Sequence, residues 1–179
     1  MRLPRRAVLG GALTGALALP ATRARAANGV LRIGVSSSLS RLDPLLTTIG
    51  DEYIYCNLAF NGLTRMAWDQ TVHPDLAESW EFTPDLKSWT FRLRRGVKFH
   101  DGTDMTAADV VAVFRRLLDP ATAAPSRSNY DMVATVDASD DHTVLFVLAS
   151  PYGGFADILS DRQVKIVPRG KVGPEGPSA

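Results

Sequence analysis

The stretch SWEFTPDLKSWTFRLRRGVKFHDGTDMTAADVVAVFRRLLDP, Ser79 to Pro120, carries most of the architectural information in the chain. Trp80 and Phe82 alternate with polar residues, the pattern of a strand with one face on a core. Thr83-Pro84-Asp85 is turn chemistry, because proline presets the backbone and the aspartate side chain can bond nearby amides. Trp89, Phe91 and Leu93 then share one face, with Thr90, Arg92 and Arg94 on the other, so a second strand pairs with the first as a hairpin. Arg95-Gly96 and Asp101-Gly102 are turns flanking Val97 and Phe99. At Thr106 the period changes from two to 3.6. The Thr106 hydroxyl and the Asp109 carboxylate are spaced for a capping box, and Asp109 places negative charge in the first helical turn. Val110, Val113, Phe114, Leu117 and Leu118 form one apolar stripe, Arg115 and Arg116 lie off it, and Asp119-Pro120 stops the helix.

Outward from this stretch the signals are shorter. Leu31, Ile33 and Val35 alternate like a strand, Ser36 to Ser40 is a polar loop, and Leu42-Asp43-Pro44 closes it with a pre-proline turn. Asp51 to Phe60 reads as a helix, with Asn61-Gly62 supplying a left-handed residue at its end. Leu63 to Met66 and the region around Val72 read as short strands about a turn at Trp68-Asp69. Downstream, Ala121 to Asp131 is a polar loop, Val133 to Val136 and Thr143 to Leu148 form a hairpin, Phe155 to Leu159 is a short helix, and Val164 to Val167 is a last strand. Trp68, Trp80 and Trp89 are expected in the core. No internal repeat is visible.

The first 26 residues differ from the rest. Arg2, Arg5 and Arg6 precede an apolar run, Ala7 to Leu19, and Ala24-Arg25-Ala26 is a small-x-small cleavage pattern. The run is too short for a stable bilayer span. It reads as an export signal cut after about Ala26, by the twin-arginine route on the Arg5-Arg6 pair, with the general secretory route as the alternative. Cleavage leaves 15 basic against 19 acidic residues, so there is no basic footprint for nucleic acid. A lone cysteine, Cys56, has no internal disulfide partner and reads as a buried thiol.

Catalytic patterns are weak. The serines at 36 to 38 lack a Gly-x-Ser-x-Gly frame. His100, Asp101 and Asp104 would serve an exported hydrolase or metal-dependent enzyme, the alternative function, but Asp101-Gly102 is better explained as a tight turn, and a zinc site wants three or four ligands at repeating spacing. If the turn reading holds, the cluster should face water, away from any deep cleft. The residues alone describe an exported α/β protein with no catalytic residue, metal or cofactor site on view.

The segment PDLAESWEFTPDLKSWTFRLRRGVKFHDGTDMTAADVVAVFRRLLDP resembles the extracytoplasmic solute-binding proteins of the oligopeptide/dipeptide/nickel ABC-transporter family, family 5. LDP at Leu42 to Pro44, NLAFNGLTR at Asn57 to Arg65, DDHTVLFVL at Asp140 to Leu148 and IVP at Ile166 to Pro168 match in the same order. Met105 departs from the small residue usual before the capping threonine. The resemblance implies an α/β, type II periplasmic-binding-protein-like fold with a mixed sheet, hairpins and a few helices. It implies that residues 27–48 begin lobe I, 49–164 form most of an auxiliary lobe, and 165–179 return to lobe I. Members are several times longer, so it also implies an N-terminal fragment without the second ligand-gripping lobe, which leaves the ligand unnamed. By the same resemblance, Ser37, Ser38, Leu39 and Ser40 approach the ligand, Ser128, Asn129 and Tyr130 face the cleft, and Arg162 pairs with a ligand carboxylate. The implied function is capture of a peptide, metal chelate or similar small solute by a periplasmic monomer that delivers it to the permease and ATPase subunits of an ABC importer.

Overall fold

The computed structural model describes residues 32–173 and 176–177. The export signal expected over Met1–Ala26, with its cleavage site, lies outside the described residues, as does Leu31. Contacts divide the chain into Met1–Gly34 and Val35–Ala179. In the first unit, residues 32–34 hold no regular structure.

The second unit is built on the two hairpins anticipated above. β1 (Thr64–Met66) and β2 (Val72–Pro74) form a small antiparallel ribbon. β3 (Ala77–Phe82) pairs with β4 (Ser88–Leu93), setting Trp80 opposite Phe91 and Phe82 opposite Trp89. β5 (Val133–Asp140) pairs with β6 (Thr143–Leu148), and β4 pairs with β6, so the sheet order is β3-β4-β6-β5. Trp89, Phe91 and Leu93 on β4 and Val144, Phe146 and Leu148 on β6 point to the buried face. On β5 the inward residues are Val133 and Val136, three apart, because a bulge between Val133 and Thr135 shifts the alternation by one.

That face is covered by helix. α1 (Gly50–Ala59) precedes the sheet, and α2 (Ala107–Leu118) packs on β5 and β6 with Val110, Val113, Phe114 and Leu117 fully buried. α3 (Phe155–Ile158) inserts Phe155 among the sheet aromatics, 5.1 Å from Phe146 and 5.7 Å from Trp89. Phe114 meets Phe146 edge to face at 4.8 Å. The expected capping box forms around Asp109, whose Oδ2 accepts from the Thr106 amide and hydroxyl, each at 2.9 Å, while its Oδ1 accepts from the Arg169 amide at 3.0 Å.

Five expectations need correction. Residues 32–35 carry no strand. α1 ends not on a left-handed glycine but on Phe60, extended at φ −131° and ψ 147°. The loop from Ala121 to Asp131 contains two short 3-10 turns, Pro120–Thr122 and Arg127–Tyr130. Val164 to Val167 is not a strand either, although the whole run from Gln163 to Val167 is buried. Its apolar pattern came from burial on all sides, and burial pushes the Lys165 ammonium toward neutrality while the charges of Asp75 and Asp161 oppose that. Of the tryptophans, Trp89 is in the core, Trp80 is half-buried, and Trp68 is fully exposed at the β1–β2 tip.

Candidate functional site

The serine loop folds onto the first turn of α1. Asp51 Oδ2 accepts from the amide and hydroxyl of both Ser36 and Ser37, at 2.7–2.9 Å. Glu52 Oε1 accepts from the Ser40 hydroxyl and from the amides of Ser40 and Arg41, the latter two at 2.9 Å. Glu52 Oε2 takes the Thr47 hydroxyl. These donors favour the charged form, so the Ser40 and Thr47 hydroxyls hold the Glu52 carboxyl down to about 2, and those of Ser36 and Ser37 lower Asp51. Adjacent acids at a helix start were the sequence signal for this arrangement, since negative charge suits a helix N-terminus. Apolar periodicity singles out neither Asp51 nor Glu52.

Thr47 then gathers the next layer. Its carbonyl accepts from the Tyr53 hydroxyl at 2.7 Å and from Gln163 Nε2 at 3.2 Å. The Arg162 guanidinium lies over the Tyr53 ring, 4.0 Å from its centroid, a cation–π contact. The structure therefore brings Arg162 and the serine loop to the same helix, Arg162 onto Tyr53 and the serines onto Asp51 and Glu52. Among the residues singled out there, Ser37 and Ser40 have their hydroxyls on Asp51 and Glu52, whereas Ser38 and Leu39 are exposed.

Ser128, Asn129 and Tyr130 sit apart from this loop, on the second 3-10 turn. Asn129 and Tyr130 line a groove of about 380 Å³ with Tyr152, Asp157, Ser160 and Asp161. Ser128 and Asn129 are exposed. The Tyr130 ring is buried against Phe114, its hydroxyl donates to the Ile158 carbonyl at 2.6 Å, and burial drives its ionisation far up.

His100, Asp101 and Asp104 occupy the expected turn, with Gly102 at φ 86°. Asp101 accepts from the Thr103 amide and hydroxyl at 3.0 and 2.7 Å, and Asp104 pairs with Lys98 at 2.6 Å. Among the described residues, no three His, Cys, Asp or Glu side chains are grouped to hold a metal. The expectation of distance from a cleft is corrected: His100 and Asp101 border an apolar cleft of about 400 Å³ whose floor includes Leu42, Phe60, Leu76, Phe99, Met105 and Ile166. Both carboxylates are already engaged by the turn and its lysine.

Comparison with known proteins fixes the family. The family profile of the bacterial extracellular solute-binding proteins, family 5 Middle, matches residues 71–177. A relative named "Probable D,D-dipeptide-binding periplasmic protein DdpA", from Escherichia coli K12, is 33% identical over 165 residues, which is 87% of this chain and 31% of that protein. The chain thus spans under a third of that relative's length. Among solved structures, the binding protein AgaA in complex with agropinic acid, from A. tumefaciens R10, superposes with a TM-score of 0.70 at 35% identity, covering 73% of this chain and 26% of that one. Haemophilus influenzae OppA in complex with RPPGFSPFR gives 0.68 at 32% identity, over 73% and 29%. The fold is that of a type II periplasmic binding protein, in part, and the matched profile runs from β2 to the end of the described residues. On these grounds the chain belongs to the bacterial extracellular solute-binding proteins, family 5.

Proposed function

We propose that the chain is part of the substrate-binding component of an ABC importer, working in the periplasm on a peptide or similar small solute. The observation that carries this reading is the family profile over residues 71–177, which takes in the whole four-stranded sheet and α2. The named ligands of the relatives, a D,D-dipeptide, agropinic acid and a nonapeptide, share a carboxylate. In this reading the protein captures its solute and breaks no bond. Closure of lobes around the ligand is a population shift toward the form with better contacts, and permease and ATPase subunits receive the cargo. In this reading a signal over residues 1–26 exports the protein, which works as a monomer.

Residues 49–164 act as the auxiliary lobe, with 27–48 and 165–179 belonging to lobe I. Ser38 and Leu39 at the serine loop, with Ser128 and Asn129 on the second 3-10 turn, are the surface groups that meet solute. Ser37 and Ser40 hold the loop in place through Asp51 and Glu52, and Tyr130 supports its groove from below. Arg162, exposed above Tyr53, offers a guanidinium to a ligand carboxylate.

The test is growth. A strain deleted for the gene, supplied with a panel of di- and oligopeptides as sole nitrogen source, should fail on at least one that the parent uses, and the restored gene should recover it. Unchanged growth on every peptide and on chelated metal would remove the importer reading.

A further inference from the structure

Asn61 and Gly62 lie at a junction of three segments. The Asn61 side-chain amide donates to both carboxylate oxygens of Asp75, at 2.9 and 3.1 Å. Its main-chain carbonyl accepts from the Ile166 amide at 2.9 Å, and the Gly62 carbonyl accepts from the Leu76 amide at 3.1 Å. Gly62 is wedged so closely that a Cβ there would stand 3.2 Å from the carbonyl oxygens of Thr64 and Val164 and 3.3 Å from that of Leu159. Close backbone approach thus favours glycine at 62.

That preference has a chemical side effect. A residue without a side chain leaves its own main-chain nitrogen unshielded toward the side-chain carbonyl of the residue before it, and here that residue is an asparagine with an exposed side chain. We infer that Asn61 is a self-modification site, converted to aspartate and isoaspartate when the segment Val164–Val167 releases it. The Gly62 nitrogen loses its proton and bonds to Asn61 Cγ. The Cγ–Nδ2 bond breaks, and Nδ2 departs, protonated, as ammonia. Water then opens the five-membered imide at either carbonyl, so asparagine and water give the acid and ammonia.

The fold restrains this step and is damaged by it. Ring closure requires the side chain to leave Asp75 and the following peptide plane to turn, which breaks the bond to Ile166. Local opening of this kind sets the rate. After conversion to aspartate, a carboxylate faces the Asp75 carboxylate where a donor stood, an arrangement that two ionised groups resist. Isoaspartate adds a methylene to the main chain and pulls Gly62 out of its slot.

The experiment incubates the chain in mildly alkaline buffer, with and without urea, and follows each asparagine by peptide mass spectrometry. Asn28-Gly29 supplies the same dipeptide, whereas Asn57-Leu58 and Asn129-Tyr130 carry shielding side chains. In urea, Asn61 should convert alongside Asn28 and well ahead of Asn57 and Asn129. In buffer, Asn61 should slow by about tenfold or more. The variant Asn61→Asp should melt about 3–6 °C below the parent, and adding Asp75→Asn should restore it, since acid and amide have then exchanged places. An Asn61 no faster than Asn57 in urea, a rate indifferent to urea, or an Asn61→Asp variant as stable as the parent would each overturn the inference.

Discussion

Arg116 on α2 and Asp43 in the loop before α1 form a two-pronged ion pair across 73 residues of sequence, with Nη1 3.0 Å from Oδ1 and Nη2 on Oδ2. Asp43 is 1% exposed and the Arg116 side chain 10%. Asp43 also accepts from the Leu45 amide at 3.1 Å, so its charge is fully surrounded. Removing one partner leaves the other charge buried and alone. Arg116→Ala should therefore cost about 3–5 kcal/mol, measured by urea unfolding. The double variant Arg116→Ala with Asp43→Asn should cost less than Arg116→Ala and Asp43→Asn combined. Additive losses would mean that the pair is not coupled.

Acid should loosen the serine loop. The Glu52 carboxyl is depressed to about 2 from an ordinary 4.5, and Asp51 is lowered too. A carboxylate with a depressed folded-state value contributes stability that is complete above the unfolded value and fades as pH falls through the folded one. The loss thus runs from about pH 4.5 down to about 2. The protection of the Ser40 and Arg41 amides, taken by NMR as exchange relative to the intrinsic rate at each pH, should fall in that window. Glu52→Gln should lower that protection already at neutral pH, with little further loss in acid.

Gly62→Ala adds a methyl group 3.2–3.3 Å from three carbonyl oxygens of the main chain, which must each give by a few tenths of an ångström. Overpacking of this kind costs about 1–3 kcal/mol, and for a chain of this size each kcal/mol is about 2–4 °C of melting temperature. Calorimetry should show the drop. Gly34→Ala, with nothing within 4 Å, is the control.

Cys56 is fully buried on α1, and burial, with the charges of Asp43 and Glu52, pushes its thiol up to about 11. Only the thiolate reacts. Iodoacetamide near neutral pH should leave the folded chain unlabelled and modify it in urea. Labelling of the folded chain would place the thiol at the surface.

What could be read from the sequence was local. Both hairpins, the capped stripe of α2 and the glycine turns depend on residues within a few positions of one another, so periodicity and turn chemistry recover them. The association of β4 with β6 depends on partners far apart, and no local pattern encodes it. For the same reason Asp43 read as a turn residue and Arg116 as off-stripe, although each is the other's partner. The serines were visible as a polar loop, but their engagement by Asp51 and Glu52 needed the loop to fold back on α1. Val164 to Val167 failed in another way, since an apolar run reports burial and burial does not require a ladder. Trp68 failed because hairpin tips expose even large rings.

The strand order also bears on how the chain comes off the ribosome. β4 needs β6 as its second neighbour, and roughly fifty residues separate them, a loop whose closure carries its own entropy cost. Until β6 and α3 emerge, Phe91 lacks Phe146 beside it, Trp89 and Phe91 both lack Phe155 against their rings, and the nascent hairpin shows water an oily palm. Synthesis must run through α3 before the aromatic cluster can close, so a nascent chain paused before Thr143 is the stage most in need of a holding chaperone.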